Sequence, residues 1–204
     1  MKIAILGGSF NPIHKGHIKN AEEVLKYAKV DRVLLMPCYK HAFGKKILPF
    51  EQRMEMTKLA VEENGNPRLI ASDYEKQIKS TYSVEMARAF AKDYGPEFLG
   101  LIVGTDVLLT FYKWRYVNEL MKIMRLVIVP RPGYPLSYLP KDAIYLEHAR
   151  SLPIASSELR EMLVARDNIA KHFIPKSVFA HIKKNNLYSE NAENKIKMVS
   201  EVRI

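Results

Sequence analysis

The chain has 204 residues, 48% of them hydrophobic and 26% charged, with a formal net charge of +10, which is the composition of a globular protein able to bury a sizeable core. Its single cysteine, Cys38, excludes an internal disulfide and fits a reducing cytoplasm, no apolar run approaches the ~20 residues that span a bilayer, and "IAIL" is too short for a signal-peptide core. The basic residues are spread along the chain, densest in "KHAFGKK" and "HIKKNN", so the charge suits a small polyanionic substrate equally well, and no nucleic-acid or membrane partner is expected.

In chain order, "KIAIL" (2–6) reads as a buried strand and residues 16–29 as a helix. "RVLLMP" (32–37) is strand-like and stopped by Pro37, and "FEQRMEMTKLAVEE" (50–63) has helical spacing. "RLIAS" is a short strand candidate, and 83–93 a helix. "FLGLIVG" (98–104) and "RLVIVP" (125–130) are further strands with a helical stretch between them, and "AIYLE" (143–147) is a candidate for one more. Two helices, from about 156 and 175, complete the alternation. Near-continuous apolar strands alternating with helices predict an α/β fold, a doubly wound Rossmann-like parallel sheet with helices on both faces. Residues 1–188 are expected to form one domain and 189–204 a polar tail. Sheets of this kind bind ligands beyond the carboxyl ends of their strands, near the point where strand order reverses.

The stretch "GGSFNPIHKGH" (7–17) follows the first strand and so belongs at that end. Gly7 and Gly8 suit a tight turn with positive φ and close approach of backbone to ligand. Gly16 and His17 are expected to begin a helix, whose first amides make an anion site. His14 and His17, three residues apart, can then face one phosphate group. The spacing is neither a dinucleotide-binding G-x-G-x-x-G nor a P-loop. Two histidines without a nearby carboxylate are a poor zinc set, and no metal site is expected from them. The residue types alone leave open a plainer arrangement, with one histidine capping a helix and the other in solvent.

The stretch resembles the signature G-[TS]-F-D-P-x-H-x-G-H of the HxGH, or HIGH-type, nucleotidyltransferases. Within them it is most similar to bacterial nicotinate (nicotinamide) mononucleotide adenylyltransferases. Asn11 stands where that family usually has Asp. The resemblance implies catalytic roles for His14, His17 and Arg160, and ATP contacts from Gly8, Ser9, Phe10 and His17. "GTDVLLTFYKW" resembles a family segment that places Gly104 and Asp106 at ATP and a tryptophan, here Trp114, on the pyridine ring. "VPRPGY" resembles its R-P-G segment and puts Arg131 near the mononucleotide. "PIASSELR" resembles I-S-S-T-x-I-R, with Ala155 and Ser157 as departures, and assigns Ser156, Ser157 and Arg160 to ATP. "STYSVEMA" is similar to the segment lining the pyridine pocket, which assigns Thr81 and Tyr82 to the mononucleotide. The family's P-P-H-K loop is altered here to "MPCYKHAFGKK", where Lys45 is assigned a phosphate.

The implied reaction joins the adenylyl group of ATP to nicotinic acid or nicotinamide mononucleotide, with Mg²⁺ entering with ATP and pyrophosphate leaving. The mononucleotide phosphate is already a nucleophile, so such a site needs placement and charge stabilisation rather than a protein nucleophile. Phosphopantetheine adenylyltransferase is the alternative within the fold, and a catalytically silent nucleotide-binding protein the alternative outside enzymes. The choice between acid and amide, and whether the chain forms a homo-oligomer, are open at this stage.

Overall fold

Strand β1, Ile3–Gly8, lies between β2 (Arg32–Pro37) and β4 (Phe98–Gly104), parallel to both. In this computed structural model, which describes residues 2–44, 46–95 and 98–189, β3 (Leu69–Ala71), β5 (Arg125–Val129) and β6 (Ile144–Tyr145) complete the sheet. The order is β3-β2-β1-β4-β5-β6, and every neighbouring pair is parallel. The chain therefore winds outward from β1 in one direction, returns, and winds outward in the other. The crevice between β1 and β4 is the point of reversal, where doubly wound sheets take their ligands.

Alternate residues of β1 face opposite sides. Ala4 and Leu6 join a core with α1 (Lys15–Tyr27), α2 (Phe50–Asn64), α7 (Ser156–Val164), α8 (Ala170–Phe173) and α9 (Lys176–Lys184). Ile3 and Ile5 join a second core on the other face, with α4 (Ser83–Tyr94), α5 (Thr105–Phe111) and α6 (Val117–Ile123). Two-sided burial is why these strands read as nearly unbroken apolar runs. A short helix, α3 (Tyr74–Gln77), sits between β3 and α4. No helix among the described residues is long and apolar enough to cross a membrane.

Several boundaries depart from the sequence pattern for identifiable reasons. Strand β1 runs on through Gly7 and Gly8, because both keep ladder partners in β2, Met36 and Pro37. Helix α1 starts at Lys15 rather than Gly16, since the His14 side chain caps it. The helical stretch between β4 and β5 is two helices, broken at Tyr116, whose backbone is left-handed at φ 52°. The short helices α3 and α8 carry too few residues to show a periodicity. Lys45 and the tail residues 190–204 lie outside the described residues.

Candidate active site

A cavity of about 360 Å³ opens at the carboxyl ends of β1 and β4, lined by Gly7 and Gly8 from one strand and by Leu101–Gly104 from the other. The opening turn forms one wall. Gly7 and Gly8 do not adopt the positive φ expected of them; the left-handed residue is Phe10, at φ 45°. Gly8 serves by what it lacks. A Cβ there would lie 2.9 Å from the Phe10 ring, which is buried beneath it and meets His17 edge-on at 4.8 Å between centroids. The Asn11–Pro12 peptide that follows is cis.

The two histidines are fixed by backbone. The Gly16 N–H donates to His14 Nδ1 at 3.1 Å, and the His14 N–H donates to His17 Nδ1 at 3.2 Å. A backbone N–H can only donate, so both rings carry their proton on Nε2. They stack with centroids 3.7 Å apart. Burial, reinforced by the Arg131 charge, pushes His14 down to about 3. Burial, then His14, then Arg131 hold His17 well below its ordinary value. At neutral pH the pair is uncharged, and each ring offers one Nε2–H donor. His17 lines the cavity; His14 is buried behind it.

The carbonyls of the turn are tied from outside. Gly8 O accepts from the Cys38 N–H at 2.8 Å, Ser9 O from Arg53 Nη1 at 3.0 Å and Asn11 O from Arg160 Nη1 at 2.8 Å. Pro12 O accepts from Ser156 Oγ at 2.9 Å. The Asn11 side-chain oxygen accepts from the Leu48 N–H and the Tyr188 hydroxyl. Among the described residues, the Ser9 and Phe10 N–H groups have no protein partner. The structure thus brings Arg160 and Ser156 to the turn's backbone; Ser157 is exposed at the start of α7. None of these three, nor Phe10, lines the cavity.

Across the cavity, Gly104 again makes room by lacking a side chain: a Cβ there would collide with the Asp106 carboxylate, which folds back over it. Asp106 lies 3.7 Å from Arg131 Nε, and Arg131 Nη2 donates to Ile154 O at 2.9 Å. Both line the cavity, as do Thr81, Tyr82 and Trp114. Trp114 is half-buried, 5.1 Å from Phe111 between ring centroids.

Two residues that sequence reasoning passed over belong here. Glu75 lines the cavity, accepts from the Tyr39 N–H at 3.0 Å, and is pushed up to about 7 by burial. Arg53 is 1% exposed and holds Ser9 O, Leu48 O and the Cys38 thiol together from behind the wall. A signal for it was present: Arg53 sits at helical spacing among Phe50, Met54, Thr57 and Ala60, on the buried face of α2, where an unpaired charge is not tolerated. No comparable pattern marks Glu75.

Comparison with known proteins agrees with this geometry. The cytidylyltransferase-like family matches residues 5–162. A "probable nicotinate-nucleotide adenylyltransferase" of Pelobacter propionicus is 33% identical, over 93% of this chain and 99% of its own. One of the same name from a Roseiflexus species is 34% identical, over 91% and 97%. Among solved structures, a Plasmodium falciparum nicotinic acid mononucleotide adenylyltransferase complexed with NaAD is similar in fold, with a TM-score of 0.75 at 21% identity over 92% of this chain and 97% of that one.

Proposed function

We infer, from the premise that the chain belongs to the cytidylyltransferase-like family and to the nicotinate-nucleotide adenylyltransferases within it, how its cavity carries out their reaction. The protein is an adenylyltransferase of NAD biosynthesis. An oxygen of the mononucleotide 5′-phosphate bonds to the α-phosphorus of ATP, the bond to the bridging oxygen of the β-phosphate breaks, and pyrophosphate leaves with that electron pair. No proton transfer to protein is needed, so the residues act by placement and by hydrogen bonds to spreading negative charge.

One observation carries the assignment of roles: the stacked, neutral His14–His17 pair at the mouth of the β1–β4 crevice. His17 presents its Nε2–H to the α-phosphate, and His14 fixes the His17 ring and contributes its own donor behind it. Ser9 and Gly8 bring backbone up to the phosphates, and Ser156, Ser157 and Arg160 at the start of α7 serve the triphosphate side. Asp106 takes ribose hydroxyls. Trp114, Thr81 and Tyr82 receive the pyridine ring, and Arg131, bridging Asp106 and Ile154 O, places the mononucleotide between the two halves. Lys45 is assigned a phosphate on sequence grounds alone. Residues 1–188 are read as one domain, a reading supported by the bond from Tyr188 to Asn11.

Mg²⁺ entering with ATP would need at most one or two protein carboxylates, which Asp106 and Glu75, both lining the cavity, would supply. When bound, it screens the triphosphate charge.

Pyrophosphate release with ATP and Mg²⁺, offered nicotinic acid mononucleotide, nicotinamide mononucleotide and phosphopantetheine in parallel, tests this reading. Turnover is expected with the nicotinic acid substrate. Turnover with phosphopantetheine alone would keep the chemistry and refute the substrate.

A further inference from the structure

We propose that Arg53 is a positioning residue for phosphate binding, setting the orientation of the Ser9–Phe10 peptide in the opening turn. The proposal deepens the adenylyltransferase reading and rests on it for the identity of the phosphate. Arg53 lies on the buried face of α2 and reaches three separate segments. Its Nε donates to Leu48 O at 2.8 Å, and its Nη1 donates to Ser9 O at 3.0 Å and lies 3.9 Å from the Cys38 sulfur. Ser9 and Cys38 both line the cavity, while Arg53 stands behind them. In a trans peptide the carbonyl and the following N–H are antiparallel. Holding Ser9 O toward Arg53, behind the wall, therefore turns the Phe10 N–H away from Arg53; Ser9 itself lines the cavity, while the Phe10 ring lies buried outside it.

That N–H has no protein partner among the described residues. An unused backbone donor beside a cavity that takes phosphates is a ready hydrogen bond for an anion. Phe10 is held at φ 45°, a costly conformation for a residue with a Cβ, so a neighbouring peptide plane left untied would be free to rotate. The Arg53 fork fixes that plane. The same guanidinium also holds the Cys38 thiol and Leu48 O, so these two positions keep a fixed spacing from the turn. Lysine could reach one of these acceptors but not span them, because its ammonium lacks the planar fork.

The test compares wild type with Arg53→Met and Arg53→Lys. Protein labelled with ¹⁵N at its eight phenylalanines is titrated with inorganic pyrophosphate while the Phe10 amide resonance is followed. In wild type the Phe10 amide shifts on saturation. In Arg53→Met the shift is lost and kcat falls at least tenfold, while the KM for the mononucleotide rises less than threefold, because the Trp114 side of the cavity is untouched. Arg53→Lys recovers part of kcat. A folded Arg53→Met protein with wild-type kcat, or with the Phe10 shift intact, would overturn the proposal. So would a wild-type Phe10 amide that ignores pyrophosphate. Should Arg53→Met not fold, Arg53→Lys decides: a loss of threefold or more in kcat, with a weakened Phe10 shift, supports the role, and wild-type values for both refute it. If wild-type protein releases no pyrophosphate in the assay above, the enzymatic reading fails by itself, and the Phe10 titration still judges Arg53.

Discussion

His14 and His17 stack with 30° between their ring planes, and the N–H of the first residue is what fixes the proton of the second. Two imidazoles this close could not both be charged without strong repulsion; buried together they remain neutral donors. A neutral donor suits a site where negative charge appears only as the α-phosphate is attacked, because it is not neutralised by the ground state beforehand.

Replacing His17 with alanine removes one such donor, a loss worth about 10²–10³ in kcat where preorganised donors have been deleted. The fold should be kept, since His17 lines the cavity, forms no part of the two cores and releases only the His14 N–H when truncated. Steady-state pyrophosphate release, with a thermal melt as control, checks this. Undiminished turnover would remove His17 from the mechanism.

Acid should destabilise the protein through His14. The unfolded histidine protonates near 6.5, the folded one only near 3, so stability present above 6.5 is lost as pH falls through that interval. Glu75 acts in the opposite sense. Its carboxyl titrates near 4.5 when unfolded and about 7 when folded, so its contribution is complete below 4.5 and is lost as pH rises through 7. Glu75→Gln keeps an acceptor for the Tyr39 N–H without that loss. Its melting temperature should exceed wild type by a few degrees at pH 8, where ~1 kcal/mol moves a domain of this size by about 2–4 °C, and the gain should vanish at pH 5. Parallel melts across pH decide it.

Gly8→Ala places a Cβ 2.9 Å from the Phe10 ring. That ring is 1% exposed, packed in the core and edge-on to His17. Overpacking of this kind costs about 1–3 kcal/mol, and the displaced ring should carry His17 with it. A fall in kcat/KM of tenfold or more is expected, together with a lowered melting temperature. An active, fully stable Gly8→Ala protein would show that the turn can relax elsewhere.

Trp114→Ala should raise the KM for the mononucleotide by about tenfold, the scale of an aromatic–base stack worth about 1–3 kcal/mol, with little change for ATP. An equal effect on both substrates would instead make Trp114 packing for Phe111 and α5.

The strands, their parallel doubly wound class and the position of the opening turn after β1 were readable because each depends on a periodic or local signal: apolar runs for β1, β2, β4 and β5, and a contiguous turn for the histidines. The helix-capping role of His14 was also open to local reasoning. What escaped was set by tertiary contacts. Nothing local distinguishes Gly8 making room for a ring from Gly8 adopting positive φ. Asn11 reads as a missing charge, yet its side-chain oxygen gathers the Leu48 N–H and the Tyr188 hydroxyl, partners far away in sequence. Arg160, proposed for the triphosphate side, also holds Asn11 O and Ser156 O through its Nη1, a second task that its own segment does not announce.

The partners of the opening turn also say when in its life the protein becomes a catalyst. Leu48, Ser156 and Tyr188 fasten it from 37, 144 and 177 positions along the chain. On the ribosome the nucleotide-handling turn emerges before each of these fasteners. Contacts of such long range form only after the intervening chain has been ordered. A nascent chain therefore carries the histidines before it has the geometry to use them, and Tyr188 has to leave the exit tunnel before ATP meets a fully fastened turn.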